Sequence, residues 1–233
     1  MKKKIILVTG GAGFVGSNLI KLLLLKSKFN IISLDNYSSG SKKNHLKNRR
    51  VKYLNGETKD VKKFIKQPNN IHSVFHFGEF ARIYQSFLKM NECIESNTIG
   101  TNSIFSFCLE NKIKLIYSAT SASLGNKGND KNLSPYAFSK AKNLEYLENL
   151  KKWFDFKYEV IYFYNVYGPG QISKGNMATV IGIFEDAFRR KKALPVVLPG
   201  TQSRRFTHID DTVNICFLAW KKNLSRHYSI SNK

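Results

Sequence analysis

Short apolar runs alternate with helix-length segments through the first two-thirds of the chain. The runs predict buried strands at 5–8, 30–34, 51–54, 73–77, 114–117 and 158–164. Helices are predicted at 14–26, 93–111 and 135–152, the last of them opened by a proline, which is favoured at a helix start. This alternation predicts an α/β fold, a parallel sheet with helices on both faces.

The pattern changes after about residue 167. Gly168-Pro169-Gly170-Gln171 predicts a loop. Helices at 177–191 and 210–221 and short strands at 196–198 and 227–230 are predicted beyond it. We therefore expect a first domain over 1–167 and a small, shortened second lobe over 168–233 that is interleaved with the first.

The composition is that of an ordinary globular protein. Of the 233 residues, 42% are apolar and 23% are charged, which suits one α/β domain with a sizeable core. No apolar run approaches the roughly 18 residues of a membrane span. The three cysteines, Cys93, Cys108 and Cys216, are widely spaced and form neither a metal motif nor a disulfide framework. We expect a cytoplasmic protein with no membrane span and no metal site.

The net charge of +22 is the one unusual bulk property. Such a charge is found in proteins that bind polyanions. The lysines are nevertheless scattered along the whole chain, and no nucleic-acid-binding motif accompanies them. General lysine enrichment is therefore favoured, and we expect no nucleic-acid partner. A positive field would also attract a diphosphate substrate.

A glycine-rich loop follows the first predicted strand. Thr9-Gly10-Gly11-Ala12-Gly13-Phe14-Val15-Gly16 satisfies G-x-G-x-x-G and leads into a helix. The glycines let the backbone approach a pyrophosphate, to which the helix N-terminus offers free N–H groups. Asp35 stands 19 residues beyond Gly16, at the end of the second strand. A carboxylate there binds ribose hydroxyls and repels a 2′-phosphate, so the pattern favours NAD over NADP.

A tyrosine and a lysine stand four residues apart on a predicted helix. Tyr136 and Lys140 therefore share one helix face. The preceding strand ends in Ser118-Ala119-Thr120, at the sheet edge where parallel sheets bind ligands. A free tyrosine has a pKa of about 10, and a neighbouring ammonium would lower the pKa of Tyr136. The sequence thus predicts a tyrosine base tuned by a lysine.

Taken together, these segments resemble the extended short-chain dehydrogenase/reductase family, in its nucleotide-sugar epimerase/dehydratase branch, which includes UDP-glucose 4-epimerase. The matching segments are 9–16, 34–36, 56–57, 74–77, Asn97 with 100–101, 118–120, Tyr136 with Lys140, 165–169 and 202–204. The resemblance implies a Rossmann-type doubly wound parallel sheet, NAD as cofactor and a nucleotide-diphosphate sugar as substrate. It also implies a role in nucleotide-sugar metabolism and polysaccharide biosynthesis, and a homodimer built on helices 93–111 and 135–152.

The same resemblance implies roles for single residues. Tyr136 would be the catalytic base, Lys140 would bind the nicotinamide ribose, and Thr120 would hold the reacting sugar hydroxyl. Asn165 and Arg204 would contact the substrate diphosphate, to which a guanidinium offers a fork of donors. The residues expected to bind NAD are Gly10, Gly13, Phe14, Val15, Gly16, Asp35, Asn36, Glu57, Thr58, Phe77, Asn97, Ser118, Tyr136 and Lys140.

The implied reaction is a 4-epimerisation, in which the sugar is transiently oxidised at C4 and then reduced from its other face. Dehydratases of the branch carry Thr-Asp-Glu at the strand end, where this chain has Thr120-Ser121-Ala122, so epimerisation is favoured. Two alternatives stay open. One is a nucleotide-sugar reductase or oxidase on the same scaffold. The other is a truncated, non-catalytic NAD-binding protein, since family members are usually longer.

Glu79 is a further departure from the family pattern, which has small residues after His76-Phe77. The substitution puts a carboxylate near the expected cofactor and sugar pocket. Two interpretations stay open for it, a specificity residue or a side chain that points to solvent.

Overall fold

The computed structural model describes residues 4–231, except for the side chains of 125–128. Its centre is a parallel sheet with the strand order β3-β2-β1-β4-β5-β6-β9. The strands are β1 (Ile5–Thr9), β2 (Asn30–Asp35), β3 (Val51–Asn55), β4 (Ile71–His76), β5 (Lys114–Thr120), β6 (Tyr158–Phe163), β7 (Val166–Tyr167), β8 (Thr207–His208) and β9 (His227–Ser229). Strands β7 and β8 pair with each other in a separate small sheet.

Helices cover both faces of the central sheet. They are α1 (Phe14–Lys26), α2 (Val61–Phe64), α3 (Ile83–Leu88), α4 (Met90–Ile94), α5 (Thr101–Glu110), α6 (Pro135–Phe154), α7 (Val180–Arg189) and α8 (Ile209–Lys221). Within the described residues, no helix is both long and apolar enough to cross a bilayer.

The alternation of side chains along each strand builds two cores. In β1, Leu7 packs into a core with residues of α5 and α6, whereas Ile6 and Val8 pack into a second core with residues of α1 and α8. Successive strand residues face opposite sides of the sheet, so a strand buried on both faces is apolar throughout. The expected Rossmann-type α/β fold is confirmed.

The strand order reverses between β1 and β4, which are neighbours at the centre of the sheet. In open parallel sheets a ligand crevice forms at such a switch point, outside the carboxyl ends of the strands. The glycine-rich loop follows β1, and the segment with Glu79 follows β4. Both therefore lie at this crevice.

In the part of the chain expected to form the second lobe, β9 adds to the central sheet beside β6, and α8 packs on that sheet. Two predicted elements in this part of the chain differ from the structure. The helix expected at 177–191 is the shorter α7, and the strand expected at 196–198 is wrong: these residues form an exposed loop, with Val197 73% accessible. Apolar β-branched residues make a strand only where a partner strand accepts their hydrogen bonds.

The helix predicted at 93–111 is also irregular. A π-helical segment, Glu95–Gly100, separates α4 from α5. Within it, the carbonyl of Asn97 accepts a hydrogen bond of 2.6 Å from Asn143 Nδ2 of α6. The π turn thus ties its helix to the helix that carries Tyr136 and Lys140.

Candidate active site

The glycine-rich loop is shaped so that side chains are excluded from it. Gly10 has φ +68, and a Cβ there would lie 2.7 Å from the Phe77 backbone. A Cβ on Gly16 would collide with the carbonyl oxygen of Gly10. Glycine satisfies both positions, because it adopts the positive φ of residue 10 and has no Cβ that would collide at residue 10 or residue 16. Helix α1 begins at Phe14, so the N–H groups of its first turn, including those of Phe14, Val15 and Gly16, lack intrahelical acceptors.

Asp35 fixes this loop from the end of β2. One carboxylate oxygen accepts the Ala12 N–H at 2.9 Å, and the other accepts the Tyr37 N–H at 2.8 Å. The side chain is 7% exposed. Two backbone N–H groups therefore hold the carboxylate that is predicted to bind the ribose, one at each oxygen. Each oxygen has a second lone pair for a further hydrogen bond.

A cleft joins the loop to the ends of β2, β3 and β4. Of the expected NAD-binding residues, it is lined by Gly10, Gly13, Asp35, Asn36, Glu57, Thr58 and Phe77. Neighbours without an assigned role line it too, namely Leu34, Ser38, Ser39, Gly56, Gly78, Glu79 and Ser96. Asn36 Nδ2 donates to both Glu57 oxygens at 3.1 Å, which holds that edge of the cleft.

Asn97 lies deeper than expected. It is fully buried, and its amide bonds the backbone of Phe80 twice, at 2.7 and 3.0 Å, and the Ser139 hydroxyl at 3.2 Å. Its neighbour Ser96 lines the cleft instead. In this structure Asn97 therefore secures the loop after β4. Ser118 has a similar place, since its hydroxyl donates to the His76 carbonyl at 3.0 Å.

Thr120, Tyr136 and Lys140 come together beyond the end of β5. Thr120 is the last residue of that strand and is buried. Ser134 caps α6 by accepting the Ala137 N–H at 3.0 Å, so the helix starts at Pro135 and places Tyr136 in its first turn. Thr120 hydrogen-bonds the Tyr136 side chain, which draws the pKa of Tyr136 downward.

The pKa of Tyr136 differs from the expectation. Burial raises it to about 12, the negative charge of Glu79 adds to the rise, and Thr120 and the Arg82 cation only partly oppose it. The prediction that a neighbouring lysine lowers this pKa toward neutral pH is therefore wrong for this structure. The physical reason is that desolvation disfavours the phenolate and that Lys140 is paired with a carboxylate.

That carboxylate is Glu79, which the sequence left without a role. Its Oε2 forms an ion pair with Lys140 Nζ, and the two side chains are 3% and 5% exposed. Lys140 Nζ also donates to the Ser118 carbonyl at 2.5 Å. Burial lowers the pKa of Lys140, and the charge of Glu79 opposes this. The interpretation in which Glu79 points to solvent is wrong.

The two predicted diphosphate contacts, Asn165 and Arg204, lie on neighbouring segments. Pairing of β7 with β8 brings Asn165 beside the segment that precedes Thr207, and Asn165 Nδ2 donates to the Arg205 carbonyl at 2.8 Å. Arg204 is exposed, with its guanidinium bonded to the Ser203 carbonyl at 2.8 Å. Both side chains are accessible to a ligand.

Arg82 is a site residue that the sequence reasoning missed. Its guanidinium donates to the Met177 carbonyl, at 2.9 Å from Nε, and its charge acts on Tyr136. It thereby anchors the loop before α7 next to Tyr136. No motif marks it, because an arginine after a strand end is common in loops. Its distance of only three residues from Glu79 was the available signal.

The residues present fit NAD. The loop excludes any Cβ where a pyrophosphate would approach, and a buried carboxylate stands at the end of β2. Among the described residues, no cluster of three His, Cys, Asp or Glu side chains is arranged to hold a metal ion.

Comparisons with known proteins agree with this geometry. The NAD dependent epimerase/dehydratase family profile matches residues 6–231. The ADP-L-glycero-D-manno-heptose-6-epimerase of Brachyspira hyodysenteriae is 31% identical over 228 residues, which cover 90% of this chain and 70% of that protein. A putative UDP-glucose 4-epimerase of Methanocaldococcus jannaschii is 29% identical over 233 residues, which cover 94% of this chain and 75% of that protein.

A solved structure shows the same likeness. The UDP-glucose 4-epimerase of Thermotoga maritima, in a structure with UDP-glucose, superposes with a TM-score of 0.89 at 27% identity, covering 98% of this chain and 77% of that one. The match over nearly all of the chain, together with the glycine loop, the Asp35 carboxylate and the Thr120, Tyr136 and Lys140 cluster, makes this chain a member of the NAD dependent epimerase/dehydratase family.

Proposed function

We propose that this protein is an NAD-dependent nucleotide-sugar 4-epimerase. The observation that carries the proposal is the convergence of Thr120, Tyr136 and Lys140 at the carboxyl edge of the sheet, beside the cleft that fits NAD. NAD, when bound, accepts hydride from the sugar carbon and returns it. The protein supplies binding, orientation and proton transfer.

Tyr136 is the proton carrier in this proposal. In its ionised form, the phenolate oxygen of Tyr136 takes the proton of the sugar 4-hydroxyl, and the resulting phenol gives the proton back in the second half of the reaction, so one residue serves as base and as acid. Thr120 orients the reacting hydroxyl. With a pKa of about 12, the phenol of the free protein is protonated at neutral pH. Nearby positive charge, such as that of Arg82, favours its ionised form.

Epimerisation is favoured over dehydration because of the carboxylates at the site. Elimination of water needs a carboxyl group that donates a proton, and Ser121 and Ala122 stand where dehydratases have acids. Glu79 does not replace them, since its oxygens already accept hydrogen bonds from Lys140, Thr101 and Tyr117. The relatives differ in nucleotide and in the carbon that they invert, so the sugar is left open in the proposal.

Asn165 and Arg204 are proposed to bind the substrate diphosphate. Both are exposed and lie on neighbouring segments brought together by β7 and β8. A guanidinium there gains charge-assisted hydrogen bonds to phosphate oxygens. The net charge of +22 would draw an anionic substrate toward the protein.

We also propose a homodimer in the cytoplasm. An apolar groove runs between α3, α4 and the start of α6, lined by Phe87, Met90, Ile94, Leu133 and Phe138 among others. A second copy would cover it with the same helices. The cysteines Cys93, Cys108 and Cys216 are buried and form no disulfide, which suits a reducing compartment.

The test is incubation of the protein with NAD and UDP-, dTDP-, GDP- and ADP-sugars, followed by NMR of the anomeric protons. A new C4 epimer without net NADH supports the proposal. Net NADH formation or consumption would show an oxidase or reductase instead. Tyr136→Phe is the control: it should abolish turnover and spare NAD affinity, and turnover at the wild-type rate would contradict the assigned role.

A further inference from the structure

Glu79 has more partners than an incidental buried carboxylate would have. Besides Lys140, it accepts hydrogen bonds at Oε1 from Thr101 Oγ1 at 3.1 Å, Tyr117 Oη at 3.0 Å and Asn143 Nδ2 at 3.4 Å. All of these partners are donors, so both Glu79 oxygens serve as hydrogen-bond acceptors. The side chain also lines the cleft that fits NAD.

A directed chain of hydrogen bonds reaches this carboxylate from the glycine-rich loop. Thr9 Oγ1 accepts the N–H groups of Phe77 and Gly78 at 3.2 and 3.0 Å, so its own proton goes to His76 Nδ1, 2.7 Å away. His76 is fully buried, and burial lowers its pKa to about 4, so the ring is neutral at physiological pH.

The tautomer of His76 follows from this geometry. With Nδ1 accepting, the proton sits on Nε2, which donates to Thr101 Oγ1 at 3.0 Å. Thr101 in turn donates to Glu79. Every bond from Thr9 to Glu79 therefore points in one direction and ends on the Glu79 carboxylate.

Lys140 is the charged partner of Glu79, and its ammonium group is held in place by hydrogen bonds. Its three protons have three acceptors: the Ser118 carbonyl at 2.5 Å, Tyr117 Oη at 3.3 Å and the Glu79 carboxylate. A buried ammonium group that donates to three acceptors at once is held in a single position. The position of this ammonium is therefore set by Glu79 as much as by the helix that carries it.

We propose that Glu79 is a positioning residue of the catalytic pair, which holds the Lys140 ammonium on the Ser118 carbonyl and keeps a fixed negative charge beside Tyr136. The proposal rests on the roles proposed above for Tyr136 and Lys140. Glu79 itself touches neither the reacting sugar nor its proton; it acts through Lys140 and through its charge.

The charge of Glu79 is one of several that face the Tyr136 phenol. Glu79 and Cys93 raise the pKa of Tyr136, while Arg82 lowers it. Lys140 carries the positive charge that Glu79 balances. Removing Glu79 therefore takes away a negative charge and makes Tyr136 easier to ionise, whereas removing Lys140 leaves Glu79 unbalanced and has the opposite effect.

The test uses the whole chain with ¹³Cζ-labelled tyrosine and no substrate. The chain has 11 tyrosines, and Tyr136→Phe identifies the Tyr136 resonance by its loss. In Glu79→Gln, we expect the Tyr136 titration to move to lower pH by about one unit. In Lys140→Met, we expect it to move to higher pH. Glu95→Gln is the matched control, since Glu95 is an exposed carboxylate paired with Lys59, and it should leave the titration unchanged.

Opposite shifts in the two variants are the result that a merely structural role would not give. If Glu79 and Lys140 only supported packing, both variants would loosen the site and move Tyr136 toward the ordinary value of a free tyrosine. A shift in the same direction in both, or no shift in Glu79→Gln, overturns the proposal. Because the titration needs no turnover, its outcome is independent of whether the 4-epimerase reaction is found.

Discussion

Glu159 offers a sharp test of how the end of the chain is attached. This carboxylate on β6 is fully buried and accepts the N–H groups of Leu224 and Arg226 at 3.0 and 3.1 Å. It also forms an ion pair of 3.3 Å with Lys114, whose side chain is 11% exposed. The two carboxylate oxygens of Glu159 thus hold both the turn before β9 and Lys114, which lies under the end of α8.

The change Glu159→Gln keeps the shape and removes the charge. The amide nitrogen then faces the N–H of Leu224 or that of Arg226, so at least one of these two donors is left without its acceptor. Breaking a buried pair in this way costs about 3–5 kcal/mol. That is a large part of the roughly 5–15 kcal/mol that holds a domain folded. At about 2–4 °C per kcal/mol for a chain of this size, the melting temperature should fall by roughly 6–20 °C.

The pH dependence supplies a second signature. Burial lowers the pKa of Lys114, and Glu159 opposes this lowering. Without Glu159 the folded-state pKa falls further, while the unfolded chain keeps its ordinary value. Between these two values the unfolded chain binds more protons, so stability rises with pH. The loss of stability in Glu159→Gln should therefore shrink as the pH is raised toward the ordinary lysine pKa of about 10.4.

Urea unfolding at several pH values, followed by circular dichroism, measures both effects. Glu145→Gln is the matched control, because Glu145 pairs with Lys142 on the exposed face of α6 and should contribute less than about 1 kcal/mol. The reasoning would be refuted if Glu159→Gln lost as little free energy of unfolding as the control, or if its loss grew with pH.

Three further predictions concern the cofactor loop and the core. Gly16→Ala drives a Cβ into the Gly10 carbonyl and should lower NAD affinity at least tenfold by calorimetry, with retained affinity contradicting the geometry. Asp35→Ala removes two charge-assisted hydrogen bonds to the backbone and should lower NAD affinity by roughly tenfold or more in the same assay. Trp220→Phe loses the buried 2.8 Å bond to Ser73 Oγ and should cost about 1–3 kcal/mol in urea unfolding.

The fold was accessible from the sequence because local and global signals agree in it. Helix α1 begins and ends where the apolar spacing predicts, at Phe14 and Lys26. The strands were found from apolar runs, since parallel strands buried on both faces carry few polar residues. Short elements such as β7 and β8 escaped, because two residues carry no periodicity and their pairing is set by segments 40 residues apart.

The site was predicted in its residue types and less well in its electrostatics. The cleft does gather Asp35, Glu57 and Phe77. The pKa of Tyr136 and the place of Asn97 were missed, because burial and hydrogen-bond partners arise only after folding. For the same reason Glu79 remained ambiguous: its sequence neighbours are Gly78 and Phe80, whereas its charge partner lies 61 residues away on α6.

The π turn at Glu95–Gly100 has a consequence for how the chain tolerates insertions and deletions. A π turn holds one residue more than the α-helical turn that it interrupts. Deleting one residue here, for instance Thr98, would let the helix run on as a regular α-helix, in which the carbonyl of residue 97 pairs with the N–H four residues further on. The Asn97 carbonyl would then no longer meet Asn143. One codon lost in this turn should therefore act on the active site, although the deleted residue touches no ligand.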